Sequence, residues 1–500
     1  MRRSGFTVSV VAIVCSIALV SSFRAVAQCP GAWDPSWGEN GKTGAISALA
    51  EWDPDGSGPL LPRIVAGIST TRPATSAGHL LCEWRDGSWF PIASEVNGRI
   101  RTILPLPNGD LVVGGDFFAS DAISFGSRVA RLSNGTWSTM SGLGDRSVWQ
   151  LVRLPDASIV AACPGSIGGV FSWDGSTWIN LQFPSGVGAE RIQVVSSGEI
   201  VASYSTTIRR WTGRGWVELG TGVNGVISAL RALPNGRLLV AGGFTKAGGV
   251  SCTGLAIWLG GSQWAAFGDA LTAQGQPPSI AAIDVLPNGN AIIGGSFFNA
   301  GAVNADYVAR WDGTQWNSLP QHVDAICDKI IATQDGNAVL AGGFYTAGGY
   351  PADGVALWSP SGKPQLSAVQ LLRSASEGGT LVLSVSANSG SSPVSVQWFR
   401  NGTPLLNGPG GAGPTPSVVF GGVQTGVLGS GPILLTITNA DPGLSGVYSA
   451  RLSNSCGSTV SSGIDVQVAS VCDGDLNKDG LLDDADFSIF VVGYDELVCP

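Results

Sequence analysis

A pattern of 12 residues occurs four times in the chain and decides how the chain folds. The first copy, residues 106–117, reads LPNGDLVVGGDF, and it is repeated at 233–244 (LPNGRLLVAGGF), 286–297 (LPNGNAIIGGSF) and 333–344 (TQDGNAVLAGGF). Each copy places Asn-Gly or Asp-Gly before an apolar run that ends in Gly-Gly. Because glycine tolerates the positive φ of a tight turn, each copy predicts two antiparallel strands joined by a hairpin.

A second hairpin, closed by tryptophan, belongs to each repeat. The closing residues are 38 to 52 positions apart, and they are Trp89, Trp137, Trp178, Trp216, Trp264 and Trp316. Such a period is typical of propeller blades or of solenoid repeats. Strand alternation without helical periodicity favours a four-stranded antiparallel blade, so the sequence predicts an all-β fold with a β-propeller over residues 28–364.

The number of repeats predicts seven blades. Six repeats are complete, whereas the seventh, residues 323–362, stops after Trp358 without a last strand. Near the other end of the chain, residues 32–37 (AWDPSW) have the pattern of an unpaired tryptophan strand. We expect this segment to complete the seventh blade, because closing the ring removes the exposed strand edges that favour aggregation.

The diglycine strands and paired aromatic residues resemble the kelch and galactose-oxidase type of propeller. The copper chemistry of galactose oxidase requires His and Tyr ligands, and the only histidines are His79 and His322, in different repeats. We therefore expect no copper centre and no catalytic residue of that type. Residues 172–178 (SWDGSTW) resemble the Asp-box turn of sialidases but are one residue short, and such a turn has a structural role.

Residues 365–470 change in character and resemble an immunoglobulin-like sandwich. Period-two alternation precedes Trp398, which matches the core tryptophan of that fold, and Tyr448 matches its corner tyrosine. Val385 and Ala450 stand where the inter-sheet cysteines of that family occur. The resemblance therefore implies a β-sandwich without its core disulfide.

The N-terminus predicts export. Residues 1–27 combine Arg2 and Arg3, an apolar run over residues 8–20 and a small-x-small end, which is the pattern of a signal peptide. A lipid anchor on Cys29 is the less favoured alternative, because Gln28 and not a small residue precedes it. No later stretch is long and apolar enough to predict a membrane span. We expect a secreted, extracellular or cell-surface protein.

Composition and charge exclude some partners. Glycine accounts for 72 of the 500 residues and charged residues for 13%, which suits many short strands and tight turns. After removal of the signal, 24 basic and 36 acidic residues remain, a net charge of −12. A chain with this balance and without a basic cluster is not expected to bind nucleic acid.

Eight cysteines remain after removal of the signal, and an exported protein is expected to pair some of them. Cys472 and Cys499 bracket the acidic tail and are the favoured pair. Cys29 and Cys82 are a second expected pair, which would reinforce the closure of the ring. The sequence does not determine the full connectivity.

The acidic tail, residues 471–500, contains the sharpest site in the sequence. Residues 475–486 (DLNKDGLLDDAD) place oxygen ligands at positions 1, 3, 5, 7, 9 and 12 of a calcium-binding loop, with Gly480 at the sharp turn. The expected calcium ligands are Asp475, Asn477, Asp479, the carbonyl of Leu481, Asp483 and Asp486. The alternative is an acidic, solvated tail.

Asp at the last loop position makes the tail resemble a dockerin repeat, which continues into a helix. That helix would carry Phe487, Phe490, Val491, Tyr494 and Val498 on one apolar face. The resemblance implies a cohesin-like or sorting partner for this short loop-helix unit. Dockerins normally carry two repeats and this chain has one, so the tail alternatively acts as a stabilising cap.

Two functions remain open at this stage. The favoured one is a non-catalytic binding or adhesion protein whose propeller face binds a glycan or a protein. Its ligand-binding loops are expected after the Gly-Gly strand ends, at residues 118–126, 245–251, 298–305 and 345–353. The alternative is a carbohydrate-active hydrolase or lyase that uses carboxylates of this rim, of which Asp116 and Asp121 are the candidates.

Overall fold

A computed structural model describes residues 31–469, apart from gaps at 38–43, 57–59, 70–77, 86, 94–95, 118–127, 185, 234, 274–276, 371–373, 389–393, 411–416, 428–431, 455 and 462. The described residues form strands and no α-helix; the two helical turns, Pro35–Trp37 and Pro442–Leu444, are of the 3-10 type. The expected all-β class is confirmed. Within these ranges no helix is long and apolar enough to span a membrane. The expected C-terminal helix lies outside them.

Residues 31–360 form seven successive antiparallel sheets, numbered 1 to 7 here in chain order. Sheet 1 consists of Ile46–Trp52, Arg63–Ser69, Gly78–Arg85 and Ser88–Pro91. Sheet 2 consists of Ile100–Pro105, Leu111–Gly115, Val129–Ser133 and Thr136–Thr139. Sheet 3 consists of Gln150–Arg153, Ile159–Cys163, Gly169–Trp173 and Trp178–Asn180. A short strand, Val96–Asn97, adds to the third strand of sheet 1. In each sheet the strands are paired in chain order.

Sheets 4 to 7 follow the same plan. Sheet 4 consists of Arg191–Val194, Ile200–Tyr204, Thr207–Trp211 and Trp216–Glu218, and sheet 5 of Val226–Ala232, Leu238–Gly243, Leu255–Gly260 and Gln263–Ala266. Sheet 6 consists of Ser279–Val285, Ala291–Ser296, Val308–Trp311 and Trp316–Ser318. The first three strands of sheet 7 are Cys327–Ala332, Ala338–Gly342 and Val355–Pro360. The fourth strand of sheet 7 is Gly31–Asp34. The first strand of each sheet contacts the first strand of the next, and that of sheet 7 contacts that of sheet 1, so the seven sheets close into a ring.

A β-bulge explains one glycine of each Gly-Gly pair in sheets 2, 5, 6 and 7. In sheets 1, 2, 5, 6 and 7 one residue near the start of the first strand is skipped by the pairing; these residues are Ser47, Arg101, Ser228, Ala281 and Asp328. The bulge brings the preceding carbonyl oxygen against the second strand. A Cβ on Gly115, Gly242, Gly295 or Gly342 would lie only 1.9 to 2.2 Å from the carbonyl oxygens of Arg99, Val226, Ser279 and Ile326, respectively. Sheet 1 has the bulge with Ile68 in place of the glycine, and sheets 3 and 4 have neither the diglycine nor the bulge.

In sheets 3 to 6 the closing tryptophan bonds its sheet to the one before it, whereas the indole N–H groups of Trp89 and Trp137 in sheets 1 and 2 make no such bond to a described residue. The indole N–H of Trp178 donates to Met140 O (3.0 Å), and that of Trp216 donates to Leu181 O (2.8 Å). Trp264 and Trp316 make the equivalent bonds to Leu219 O and Asp269 O. An indole N–H bonded to a neighbouring carbonyl fixes the rotamer of its tryptophan, so these bonds also fix the spacing between the two sheets.

Trp33 makes the same kind of bond in sheet 7. Its strand pairs antiparallel with Val355–Pro360 so that Trp33 lies opposite Trp358, and its indole N–H donates to Pro320 O at 2.6 Å. The expected strand over residues 32–37 is too long. It ends at Asp34, because Pro35 has no N–H for a ladder bond and the Asp34 carboxylate accepts bonds from the N–H and hydroxyl of Ser36.

Residues 365–469 form two further sheets around one core. One sheet has the order Gln365–Gln370, Thr380–Asn388, Pro432–Thr438, Ser417–Phe420 and Gly408–Gly410. The other has the order Ser374–Ser376, Ile464–Ala469, Gly446–Asn454, Val394–Arg400 and Thr403–Pro404, with Val423–Val427 and Gly457–Val460 paired at its sides. Trp398, Val385 and Ala450 are fully buried between the sheets, and the hydroxyl of the buried Tyr448 donates to Leu444 O at 2.7 Å.

This second region packs against one end of the ring. In each sheet the turn between the first and second strands lies at this end, which we call the turn face; the opposite end is the loop face. In the turn of sheet 7, Gln334 O accepts a bond from Ser458 Oγ (2.7 Å), and Gln334 Oε1 accepts one from Arg451 (3.2 Å). Asn454 Nδ2 donates to Gly362 O at 2.7 Å. The second region therefore lies at the turn face, on the side away from the loop face.

A cleft of 1090 Å³ separates the turn face from the second region, and carboxyl groups line it. Burial raises the pKa of Glu51 from 4.5 to about 7, although the Gln334 N–H donates to its Oε2 at 2.8 Å. Burial and the contact with Asp55 raise the pKa of Asp53 from 3.8 to about 6. Both groups therefore bind protons more tightly in the folded protein than in the unfolded chain.

The described cysteines limit the disulfide pattern. Cys82, Cys163, Cys252 and Cys327 are free. The expected Cys29–Cys82 pair is therefore wrong, and Cys82 instead packs in the apolar core between sheets 1 and 7. Cys456 is disulfide-bonded, and its partner is outside the described residues. The expected Cys472–Cys499 pair also lies outside them.

Replacing Trp33 tests how much the first strand contributes to the ring. We expect Trp33→Ala to lower the free energy of unfolding by about 4 kcal/mol, because a buried indole and its hydrogen bond are lost. Urea denaturation measures the change. The control is Ile179→Ala, on the half-exposed fourth strand of sheet 3, for which we expect less than about 0.5 kcal/mol. A Trp33 variant as stable as this control would show that the strand does not hold the ring closed.

The cleft predicts that stability falls as pH rises. The folded pKa of Glu51 is raised, so its contribution is fully present below pH 4.5 and is lost as pH rises through about 7. Because Glu51 keeps some solvent contact, we expect a loss of about 2 kcal/mol between pH 5 and pH 8. Glu51→Gln keeps a hydrogen-bond acceptor without the titration and should flatten this slope in urea titrations. An unchanged slope would contradict the assignment.

Candidate functional site at the loop face

Short hairpins follow the second strands of sheets 5, 6 and 7 and extend the loop face. They are Lys246–Ala247 with Val250–Ser251, Asn299–Ala300 with Val303–Asn304, and Thr346–Ala347 with Tyr350–Pro351. Leu271–Thr272 pairs with the hairpin of sheet 6. The three hairpins occupy the predicted ligand-binding loops at 245–251, 298–305 and 345–353. The fourth predicted loop, 118–126, lies outside the described residues.

Side-chain bonds hold two of these hairpins in place. Asn224 Oδ1 accepts bonds from the N–H groups of Thr245 (2.8 Å) and Lys246 (2.7 Å). In sheet 7, Asp324 Oδ1 accepts equivalent bonds from Tyr345 (2.8 Å) and Thr346 (3.0 Å). Each acceptor lies just before the first strand of its own sheet, so the hairpins are fixed to the ring. A surface that is fixed before a ligand arrives loses little ordering entropy on binding.

Large apolar side chains are exposed on this face. Tyr345 is 74% exposed and Tyr350 is 47% exposed, both in the hairpin of sheet 7. Val226 and Ile326, at equivalent positions before the bulges of sheets 5 and 7, are 63% and 43% exposed. Polar groups such as Lys246, Asn299 and Asn304 lie exposed on the neighbouring hairpins. The face over sheets 5 to 7 is thus mixed, with aromatic and amide groups side by side.

A basic and aromatic cluster lies where the first strands of sheets 2, 3 and 4 begin. The guanidinium carbons of Arg101 and Arg191 lie 5.0 and 5.6 Å from the centroid of the Trp149 indole ring. Arg101 Nε donates to Asp116 Oδ2 at 2.5 Å. Because the first strands line the inside of the ring, this cluster lies at the inner edge of the loop face.

The structure separates the predicted rim acids. Asp116 forms the ion pair with Arg101, with both side chains about 29% exposed, whereas Asp121 lies outside the described residues. A carboxylate held by a guanidinium is less available to accept or donate a catalytic proton. Sequence reasoning missed Arg101, Trp149 and Arg191. The available signal was an arginine at a bulge position where the other bulged sheets have Ser, Ala or Asp.

No described residue tests the predicted calcium site. All six expected ligands, from Asp475 to Asp486, lie outside the described ranges, as do the predicted helix and tail. Among the residues that the structure does describe, no group of three or more His, Cys, Asp or Glu could hold a metal ion. His79 belongs to the third strand of sheet 1, and His322 to the turn that precedes sheet 7.

The turn that resembles an Asp box has its carboxylate occupied. Asp174 Oδ1 accepts bonds from the N–H groups of Ser176 and Thr177, both at 2.8 Å, and from the Ser176 hydroxyl at 2.9 Å. These bonds lower the pKa of Asp174 to about 2, and the bond from the Thr177 N–H has the largest effect. Asp312 repeats the arrangement in sheet 6. The carboxylate closes a hairpin, as the sequence indicates for this motif.

Comparison with known proteins gives no close relative. No family model and no curated protein matches the chain. Among solved structures, the extracellular domain of a putative hybrid two-component system from B. thetaiotaomicron is 11% identical over 89% of this chain, with a TM-score of 0.43, and the chain spans 60% of that structure's length. Tandem Ig repeats of Dlar are 16% identical over 39% of this chain and 83% of theirs, with a TM-score of 0.18. Scores this low bear on neither fold nor function.

Proposed function

We propose that this chain is a secreted, non-catalytic binding protein. In this proposal the seven sheets form a β-propeller of the kelch type, residues 365–470 form an immunoglobulin-like sandwich, and residues 471–500 form a calcium-binding, dockerin-like tail. The loop face of the ring binds an extracellular glycan. The observation that carries the proposal is the set of exposed side chains on this face: Tyr345 and Tyr350 on the fixed hairpin of sheet 7, with Val226 and Ile326 near the starts of first strands.

The position of the second region supports this choice of face. It covers part of the turn face through Gln334 and its neighbours, while the loop face lies on the other side of the ring. Ring-shaped scaffolds vary their loops at one end while their strands stay constant, which makes loops on a rigid frame the usual place for binding residues. The loop face is therefore the surface that has both access to solvent and a built set of side chains.

The mixed character of the face favours a glycan over a protein. The core of a protein interface is apolar and poor in charge. Here Tyr345 and Tyr350 alternate with exposed amide, hydroxyl and charged groups. A sugar ring has an apolar C–H face with hydroxyl groups at its edge, and a tyrosine ring matches it because it combines an apolar body with a polar tip.

Tyrosine replacement tests the loop face. We expect the full chain from residue 28 to bind oligosaccharides on a glycan array without releasing sugars. The double variant Tyr345→Ala, Tyr350→Ala should bind at least about 10-fold more weakly, because two exposed ring surfaces are lost. Parallel quantification of released sugars distinguishes binding from cleavage.

The control for this experiment is Phe420→Ala, which removes a 55% exposed aromatic ring from the second region. It should bind like the wild type. Equal binding by the tyrosine double variant would show that the loop face is not the binding surface, and release of sugars by the wild type would favour the hydrolase or lyase alternative. If the wild type bound protein partners and no glycan, the proposal that the ligand is a glycan would be wrong.

The calcium tail is a separate part of the proposal and rests on the sequence of residues 475–486 alone. Oxygen ligands at six loop positions and Gly480 at the turn are what calcium requires. A single repeat without a second one suits a sorting or docking signal as well as a structural cap. Both roles require that calcium orders the segment.

Calcium removal therefore tests the tail. We expect calcium to protect residues 471–500 from proteolysis, and Asp475→Ala with Asp479→Ala to abolish this protection, since two charged ligands are lost. The matched control, Asp495→Ala, removes an acidic residue of the tail outside the loop and should keep the protection. Mass spectrometry of the fragments reports the outcome. Cleavage that is independent of calcium in the wild type would exclude the site.

A further inference from the structure

We propose that the Arg101–Trp149–Arg191 cluster is a binding site for the carboxylate or sulfate groups of an anionic glycan. The inference rests on the proposed function and names its ligand class. The cluster lies at the inner edge of the loop face, on sheets 2, 3 and 4, whereas the exposed tyrosine hairpin belongs to sheet 7. The two groups of residues would contact different parts of one bound chain.

The indole of Trp149 brings the two arginines together, and only Arg101 has an acidic partner among the described residues, Asp116. Both guanidinium groups lie over the Trp149 ring, at 5.0 and 5.6 Å from its centroid. An aromatic ring attracts a cation through its negative face, and this attraction replaces part of the hydration that each arginine loses. Burial lowers the pKa of Arg191, and the nearby charge of Arg101 lowers it further while Glu190 raises it. Two like charges are thus kept close in a partly buried place.

Arg191 has N–H donors that no described residue accepts from. Its Nε donates to Ser228 O in the next sheet, and its Nη1 donates to Glu190 O at 2.9 Å. Within the described part of the chain Arg191 forms no ion pair, and its Nη2 makes no hydrogen bond. The two backbone bonds fix the plane of the guanidinium without neutralising it. A fixed guanidinium with a free edge is suited to a carboxylate or sulfate ligand.

Arg101 is similar, although it has one carboxylate partner. Its Nε is bonded to Asp116, and across the described residues no bond reaches its two Nη groups. The bulge in the first strand of sheet 2 places Arg101 out of the ladder register, which directs its side chain toward the neighbouring sheet. Asp116 therefore competes with an incoming anion for the charge of Arg101, but it leaves both Nη groups of Arg101 available to donate hydrogen bonds.

The charge balance of the cluster differs from that of the protein. Arg101 and Arg191 balance Asp116 and Glu190 here, whereas the whole chain has a formal net charge of −9. A ligand with densely spaced negative charges, such as a nucleic acid, is repelled more strongly by the rest of such a surface than a ligand with widely spaced charges. A polysaccharide with spaced carboxylates or sulfates has the charge for the arginines and the sugar rings for Tyr345 and Tyr350.

The experiment compares two probes of equal length, a hexameric oligogalacturonate and neutral cellohexaose, by isothermal titration of the full chain from residue 28. We expect the uronate to bind more tightly and its affinity to fall with added salt. Arg191→Gln should weaken uronate binding at least about 10-fold, because a charge-assisted bidentate contact is lost, and leave cellohexaose binding unchanged. Arg209→Gln, which removes an arginine paired with Glu218 elsewhere on sheet 4, should bind like the wild type.

Asp116→Asn keeps the proposal testable even if the arginine variant folds poorly. It removes the carboxylate that competes for Arg101, so we expect severalfold tighter uronate binding, a gain that misfolding does not produce. Cellohexaose binding with no preference for the uronate, or unchanged uronate affinity in both variants, overturns the anion site and leaves the proposed function standing. Tighter binding of a hexameric glutamate peptide than of the uronate overturns the glycan class. Binding of no probe by the wild type overturns both proposals.

Discussion

The contact between a bulged first strand and the glycine opposite it sets the geometry of the loop face. In sheets 2, 5, 6 and 7 a carbonyl oxygen approaches so closely that no Cβ fits at Gly115, Gly242, Gly295 or Gly342. In each of these sheets the bulge leaves one residue without a paired partner near the start of the first strand, which lines the inside of the ring. The position of Arg101 at the inner edge of this face follows from that bulge.

From sheet 3 to sheet 7 the ring is held by bonds that run from each sheet to the one before it. The closing tryptophans donate to backbone carbonyls of the preceding sheet, and Trp33 makes this bond for sheet 7 although it comes from the other end of the chain. Ion pairs add to these links: Asp284 of sheet 6, which is buried, pairs with Arg231 of sheet 5 and accepts from the Ala332 N–H of sheet 7. A rigid ring of this kind lets hairpins and arginines from different sheets hold a common surface.

Sequence reasoning could reach the repeating parts of this structure and not the others. Asn-Gly turns, diglycines and closing tryptophans have local causes, so the all-β class and the strand-turn pattern follow from them. The arginine cluster could not be found in this way, because it joins residues 101, 149 and 191 that meet only when three sheets are adjacent. The raised pKa of Glu51 depends likewise on its burial in the cleft, which is also lined by residues of the second region, far away in the chain. The unpaired state of Cys82 reflects its place in an apolar core, which cysteine spacing does not reveal.

The claim that the loop face is the ligand-binding surface is tested most directly by hydrogen–deuterium exchange with and without a saturating bound oligosaccharide. Our account predicts slower exchange in peptides that contain residues 99–101, 149–150, 190–192 and 345–351, with no change at the turn face. Protection confined to residues 51–56, 333–337 and 447–461, which border the cleft against the second region, would place the ligand at the opposite end of the ring and contradict the account.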